Sequence, residues 1–398
     1  MRRIETQVLV VGAGPAGSMA AKFAARGGAR TLLIEKRQEI GAPVRCAEGV
    51  SCDWMAECEV APDPRWIATT PEGARIHAPG GACAVVSAER AGNEVGMVLE
   101  RSQFDKALAE HAAEAGADIL LKTHASDVLR EDGAIVGIVG KTLGEDVEIR
   151  AAITIGADGF ESQMGRWAGI QPPLKTRDVD ATFQYRLTNV ECDPRYCDFY
   201  VGSAAPGGYI WVFPKGPRIA NVGIGVQLAL LRGKADTKRY LDDWVARQPA
   251  LARGRPLDMV AGAVSTCPPP RRTVASGLML VGDAARLIDP LTGGGIVNAC
   301  LSGKFAGEIA AGAARAGDAG EDALGAYERA WRSRLERKLL RNWLAKERLI
   351  TLDDPTLDAV VTTLAEVDLG ADTLSLLTQI ARRHPALVEG FAELLVRV

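Results

Sequence analysis

Along the chain, apolar positions come first in short unbroken runs, then in alternation, and finally at helical spacing. Residues 7–11 form an apolar run that breaks at a glycine cluster, which predicts a buried strand. The small residues of 15–25, closed by Gly27 and Gly28, predict a helix, and residues 31–34 predict a second buried strand, so the chain opens on a β-α-β unit. Ser102 is the expected N-cap of a helix running to residue 115, with Phe104, Leu108 and Ala112 on one face. Residues 118–121 and 153–156 read as further strands. Between about 171 and 262 the texture changes. The runs Thr182-Phe183-Gln184-Tyr185-Arg186 and Tyr209-Ile210-Trp211-Val212-Phe213 alternate, predicting an antiparallel sheet with one wet face. Residues 278–281 return to a buried-strand pattern, followed by a glycine-rich loop and a helix from Gly295, and beyond Gly320 the pattern is helical to the end. The predicted class is α/β, α+β overall: a nucleotide domain that leaves for a β-rich domain and returns, then a helical region.

Composition narrows the classes. The 398 residues are 47% hydrophobic and 24% charged, which suits a globular chain and excludes a disordered or collagen-like one. A net charge of −3 offers no basic field for nucleic acid. The most apolar run, 219–231, is interrupted by Asn221 and Gln227 and falls short of the roughly 18 residues a spanning helix needs. The first strand follows Met1 closely enough that no signal peptide is expected. Eight cysteines without a CxxC pair indicate neither a metal site nor a disulfide framework, so a cytoplasmic location is expected. Cys192 and Cys197 are read as structural, and the four histidines form no cluster that suggests chemistry.

Gly12-Ala13-Gly14-Pro15-Ala16-Gly17 is a GxGxxG lying between a strand and a helix. Gly12 permits the tight turn, Gly14 lets a pyrophosphate approach the backbone, and Gly17 lets helix and strand pack closely. The helix N-terminus offers N–H groups to the phosphates. Glu35 closes the second strand, where a carboxylate can accept from ribose hydroxyls, and it disfavours the 2′-phosphate of NADP.

Two later segments choose the dinucleotide. Ile153-Thr154-Ile155-Gly156-Ala157-Asp158-Gly159 is followed by Ser162 and Arg166. Leu280-Val281-Gly282-Asp283-Ala284-Ala285 is followed by Leu291-Thr292-Gly293-Gly294-Gly295-Ile296. In this order after the GxGxxG they resemble the flavoprotein hydroxylase and geranylgeranyl reductase superfamily. Two more motifs resemble the geranylgeranyl reductase family in particular. Pro43-Val44-Arg45-Cys46-Ala47-Glu48-Gly49-Val50 is similar to its cysteine loop. Tyr209-Ile210-Trp211-Val212-Phe213-Pro214-Lys215-Gly216, with Gly223-Ile224-Gly225 after it, is similar to its YxWxFP signature. The likeness covers residues 1 to about 310 well and the remainder weakly, and is strongest toward archaeal members acting on digeranylgeranylglycerophospholipids.

The resemblance implies FAD, held by Gly12, Gly14, Ala16, Gly17, Glu35, Cys46, Ala47, Gly49, Arg101, Ala125, Asp283, Gly295 and Ile296. Asp283 would meet the ribityl chain, and the glycine turn would offer N–H groups to the flavin ring. It implies an FAD-dependent oxidoreductase saturating the C=C bonds of geranylgeranyl chains on archaeal-type ether phospholipids, with ferredoxin or NAD(P)H as electron donor. Cys46 is the candidate catalytic acid, the alternative being an inert packing thiol. Tyr209, Trp211 and Phe213 share a strand face by their period of two, and are a substrate wall or core packing. The implied organisation is an FAD-binding domain over 1–170 with a small insertion at about 60–98, an antiparallel-sheet substrate domain over 171–262, an FAD-domain return over 263–320 and a helical region over 321–398. An aromatic monooxygenase, a halogenase, a reductase of another prenyl substrate such as bacteriochlorophyll, and a non-catalytic flavin or lipid carrier are the competing readings.

Between 329 and 348, Trp331, Leu335, Leu339 and Trp343 fall at steps of four among basic residues that include Arg334, Arg337, Lys338 and Arg341. A basic amphipathic helix of this kind suits an anionic lipid surface, giving peripheral membrane contact, or else it docks on the body with its charges solvated.

Overall fold

A computed structural model describes residues 2–88, 95–231, 236–366 and 382–383. Arg2–Val11 lies at the centre of an eight-stranded sheet. It is flanked in parallel by Thr31–Ile34 and Glu145–Gly156, with Asp118–Leu120 and Leu278–Leu280 outside them. Helices Pro15–Arg26 and Ile296–Ala316 pack against this sheet, and Val8, Leu9, Val10, Ile153 and Ile155 are fully buried and read as continuous apolar runs. The first strand starts at Arg2 rather than at residue 7. Its polar half pairs in register with 147–151 through the backbone and an Arg3–Glu148 ion pair at 2.9 Å, which a hydrophobic pattern does not report.

Helix Pro15–Arg26 crosses Ile296–Ala316 at close range. A Cβ on Gly303 would stand 2.2 Å from the Ala16 carbonyl oxygen, and one on Gly307 would stand 2.4 Å from that of Ala20. These glycines bring together two helices that both begin at glycine turns. Helix Arg101–Glu114 starts one residue before the expected cap. Glu100 is its N-cap residue, and it makes no side-chain cap because its carboxylate is drawn off to Arg186 and Lys215.

The second sheet runs in the order Arg255–Ser265, Val179–Thr188, Ile219–Gln227, Tyr209–Gly216, Tyr196–Val201, Gly73–His77, Cys83–Ser87. Gly73–His77 joins it by parallel pairing with Tyr196–Val201, so part of the segment expected as an insertion extends the antiparallel sheet. Within that segment, 89–94 lie outside the described residues. The expected wet face is corrected. Ile219–Gln227 is buried almost throughout, because helix Thr237–Val245 covers one side and the first domain the other. Exposure concentrates on the two edge strands, at Leu257 and Met259 of one and Val85 of the other.

The basic amphipathic segment is not one α-helix. Glu321–Trp331 passes through a π-helical turn at Arg332–Glu336 into Arg337–Leu349, and Asp354–Glu366 follows. Most of the chain after Glu366 lies outside the described residues, so the expectation of helix to the end is met only that far. The stripe packs inward: Trp331 is 0% exposed, Leu335 and Leu339 join the main core, and the Trp331 indole donates to Thr273 Oγ1 at 2.9 Å. Trp331→Ala should therefore cost about 3–5 kcal/mol, read as a lower denaturant midpoint. An unchanged midpoint would contradict the docked arrangement.

Candidate active site

The two glycine turns open into one cavity of about 2490 Å³. At its nucleotide end Gly12 holds φ +108°, and a Cβ there would meet the Ala157 carbonyl oxygen at 2.4 Å. A Cβ on Gly17 would fall 1.8 Å from the Gly12 carbonyl oxygen. Gly14 is different: no protein atom lies within 4 Å of its Cβ position, which faces the open cavity. The first helix begins immediately after it without a side-chain cap, leaving N–H groups for a phosphate. Glu35 accepts from the backbone N–H of Ala13 at 3.0 Å and of Arg37 at 2.9 Å, which fixes its carboxylate at the strand end. Ala16 and Ala125 line the cavity, and Gly17 lies behind it as a packing residue.

Deeper in, Asp283 faces the cavity with its carboxyl raised by burial and opposed by the Arg101 guanidinium. A Cβ on Gly295 would come within 3.0 Å of Asp283 Oδ1, so a side chain there would crowd the Asp283 carboxylate. Asp289 braces the glycine turn by accepting from the N–H groups of Leu291 at 3.0 Å and Thr292 at 3.4 Å, and from Asn342 Nδ2 at 2.7 Å. Helix Ile296–Ala316 then presents its N-terminus to the same space. Arg101 makes a two-pronged pair with Asp105 at 2.9 and 2.8 Å beside the cavity.

The cysteine loop crosses between the two sheets. Cys46 Sγ accepts from the Glu48 N–H at 3.2 Å. Burial pushes the thiol up, and the adjacent Arg101 works against that rise. Three strands of the second sheet grip three successive loop residues. Gln184 Nε2 donates to the Cys46 carbonyl at 2.9 Å, and Asn221 Nδ2 donates to the Ala47 carbonyl at 3.1 Å. Lys215 Nζ pairs with the Glu48 carboxylate at 2.9 Å. Ala47 and Gly49 line the cavity next to Cys46.

Tyr209 and Trp211 form part of the wall, the Tyr209 hydroxyl donating to the Thr292 carbonyl and the Trp211 indole to Gln184 Oε1 at 2.8 Å. Phe213 is a correction: it is 1% exposed, absent from the cavity, and packed with Ala74, Val98, Cys197 and Phe199. It shares their strand face but lies beyond the cavity's end.

Several lining residues went unforeseen. Gln184 stood in an alternating strand whose same-face partners Asp180 and Thr182 also line the cavity, so a polar stripe on a wall was the available signal. Asp180 is pushed up to about 6 by burial, with Lys346 opposing. Arg337, Lys338 and Arg341 turn toward the cavity, whereas Arg332 and Arg334 pair outside with Glu328, Glu336 and Glu57. Past Lys346 the wall is mainly apolar, through Leu349, Leu352, Leu357, Val360 and Leu364, with Asp353 and Asp354 at the turn between the helices.

The geometry agrees with known proteins. The sequence model described as "FAD dependent oxidoreductase" matches residues 7–174, and "Geranylgeranyl reductase catalytic domain" matches 178–264. A digeranylgeranylglycerophospholipid reductase of Thermoplasma volcanium is 47% identical over 391 residues, covering 98% of this chain and 99% of that protein. One from Picrophilus torridus is 46% identical over 395 residues, 98% and 100% of the two chains. A solved geranylgeranyl bacteriochlorophyll reductase-like protein from Thermoplasma acidophilum superposes with TM-score 0.93 at 46% identity, covering 98% and 100%. A flavin-dependent brominase, at TM-score 0.75 and 17% identity over 98% and 100%, shares the fold. The cofactor is FAD, and the open face at Gly14, the fixed Glu35 carboxylate and the Asp283–Gly295 cradle fit it.

Two glycine substitutions should therefore part ways. Gly14→Ala should unfold like the parent without cofactor yet retain FAD at least about tenfold more weakly, because its methyl enters only the space a phosphate needs. Gly17→Ala should lower stability of the FAD-free protein itself. Equal FAD affinity in Gly14→Ala and the parent, measured by fluorescence titration, would contradict the cradle.

Proposed function

The chain belongs to the geranylgeranyl reductase family, and from that premise we propose that it saturates the C=C bonds of geranylgeranyl chains on digeranylgeranylglycerophospholipids. The observation that carries this reading is the continuity of one cavity from the dinucleotide cradle, past Cys46, into a mainly apolar stretch that reaches Val360 and Leu364. Its volume of about 2490 Å³ exceeds the roughly 300–1,000 Å³ of ordinary ligand pockets, leaving room for a long chain beside the cofactor. FAD, when reduced, supplies the hydride.

What the protein adds is a proton and a geometry. An isolated alkene has no carbonyl to polarise, so the carbon next to the one receiving hydride needs a proton. Burial keeps the Cys46 thiol protonated at neutral pH, and Arg101 and the Glu48 N–H stabilise the thiolate left behind. The Tyr209 proton is engaged with the Thr292 carbonyl, which favours Cys46 as donor. Asp283 and the N-terminus of Ile296–Ala316 orient the cofactor, with Ala47, Gly49 and Arg101 around it.

Among the described residues Arg337 and Arg341 have no carboxylate within ion-pair distance, and both face the cavity. Guanidinium groups so left suit the phosphate of a lipid head. The same helix turns apolar at Leu349, so the stretch matches an amphiphile with an anionic head. No helix among the described residues is long and apolar enough to cross a membrane. The lipid is taken up by peripheral contact on the cytoplasmic side. Electrons come from ferredoxin or from visiting NAD(P)H, since only one GxGxxG is present.

Reduced enzyme incubated anaerobically with the lipid should give products heavier by two mass units per double bond, and no mass change would overturn the reading. Cys46→Ala should keep FAD bound and reducible while slowing single-turnover reoxidation by lipid roughly 10²–10⁴-fold. Wild-type reoxidation would reduce Cys46 to a packing thiol. Arg337→Glu with Arg341→Glu should raise KM on the order of tenfold for the phospholipid and leave it unchanged for the corresponding neutral prenyl glycerol. Equal losses on both lipids would contradict a phosphate seat.

A further inference from the structure

Gln184, Gly223 and Trp211 stand in one row across three neighbouring strands: Gln184 pairs with Gly223, and Gly223 pairs with Trp211. A Cβ on Gly223 would lie 2.2 Å from Trp211 Cζ2, so the indole lies over the middle strand only because that residue has no side chain. Spanning it, the indole N–H reaches Gln184 Oε1 at 2.8 Å. An indole N–H can only donate, so the amide must turn its oxygen to Trp211. Its nitrogen then faces the other way, and it donates to the Cys46 carbonyl at 2.9 Å. Gln184 is 6% exposed, so neither bond is readily exchanged for water.

We propose that Gln184 is a positioning residue that ties the Cys46 peptide to the Trp211 indole, so that the wall facing the prenyl chain also sets the position of the thiol. This rests on reading Cys46 as the proton donor and Trp211 as part of the lipid wall. The bridge explains why a tryptophan and a glycine are both required: a phenyl ring carries no donor, and any side chain at 223 displaces the indole. The adjacent Asn221 and Lys215 hold Ala47 and Glu48, which leaves the Cys46 carbonyl as the point where the wall can adjust the loop. Chain pressing on the indole moves the amide, and the amide moves the peptide that carries the thiol. The coupling favours proton delivery when the wall is occupied.

Gln184→Met removes both hydrogen bonds at similar volume, and Gly223→Ala breaks the bridge without altering either partner. Both variants should bind FAD with the parent's absorption spectrum. Cys46, followed by peptide mass spectrometry during alkylation without turnover, should react at a rate changed severalfold in both. In turnover, kcat should fall about tenfold while KM stays within about threefold, and the double variant should be no slower than the worse single one. Parental kcat and alkylation rates in both variants, or losses that multiply in the double variant, would overturn the proposal. If Cys46→Ala turned over like the parent, the proton-donor reading would fail, and the alkylation rates would still decide whether the bridge sets the thiol.

Discussion

One buried carboxylate holds the site together. Glu48 accepts from Lys215 Nζ at 2.9 Å, Asn221 Nδ2 at 2.6 Å and the Arg101 N–H at 2.8 Å, and so joins the second sheet to the helix that lines the cofactor cradle. Lys215 is shielded completely, with Glu100 and the Leu99 carbonyl as its further partners. Two desolvated charges stabilise little relative to an apolar pair, but removing either one leaves the other stranded at a cost of roughly 3–5 kcal/mol. Glu48 also sits at φ +76°, a conformation that costs a non-glycine residue about 1–2 kcal/mol. Glu48 is thereby anchored, two residues from the Cys46 peptide that Gln184 holds separately.

That anchor lets two folds act as one site. The dinucleotide domain brings its glycine turns together through the close crossing at Gly303 and Gly307, and the second sheet contributes a wall but no cradle of its own. Between them, burial pushes the thiol up and the Arg101 guanidinium opposes that rise. Further along, the wall passes from guanidinium to apolar side chains along a single pair of helices.

Much of this was legible in the sequence because backbone chemistry restricts it. Gly12 and Gly17 occupy positions where a Cβ clashes, and Gly14 one where a phosphate must pass, and spacing reports such positions directly. Phe213 was misjudged because a period of two assigns a strand face but not how far along that face a cavity extends. The segment 329–348 stayed open between docking and lipid contact because helical spacing cannot tell a stripe docked on protein from one laid on lipid, and the π turn at Arg332–Glu336 is not visible in that spacing. Gln184 and Lys215 were quoted in the motifs yet unassigned, since their roles arise from pairing across strands far apart in sequence.

The central claim is that the cofactor cradle and the mainly apolar stretch meet at the Cys46 thiol. The most direct measurement is a crystal structure of the FAD-loaded protein with a geranylgeranylated phospholipid under non-turnover conditions. The account predicts a double bond held between the flavin ring and Cys46 Sγ, with the phosphate toward Arg337 and Arg341 and the chain running along Trp211 toward Leu364. A chain lying with no double bond near Cys46, or with its phosphate in the apolar stretch, would contradict it.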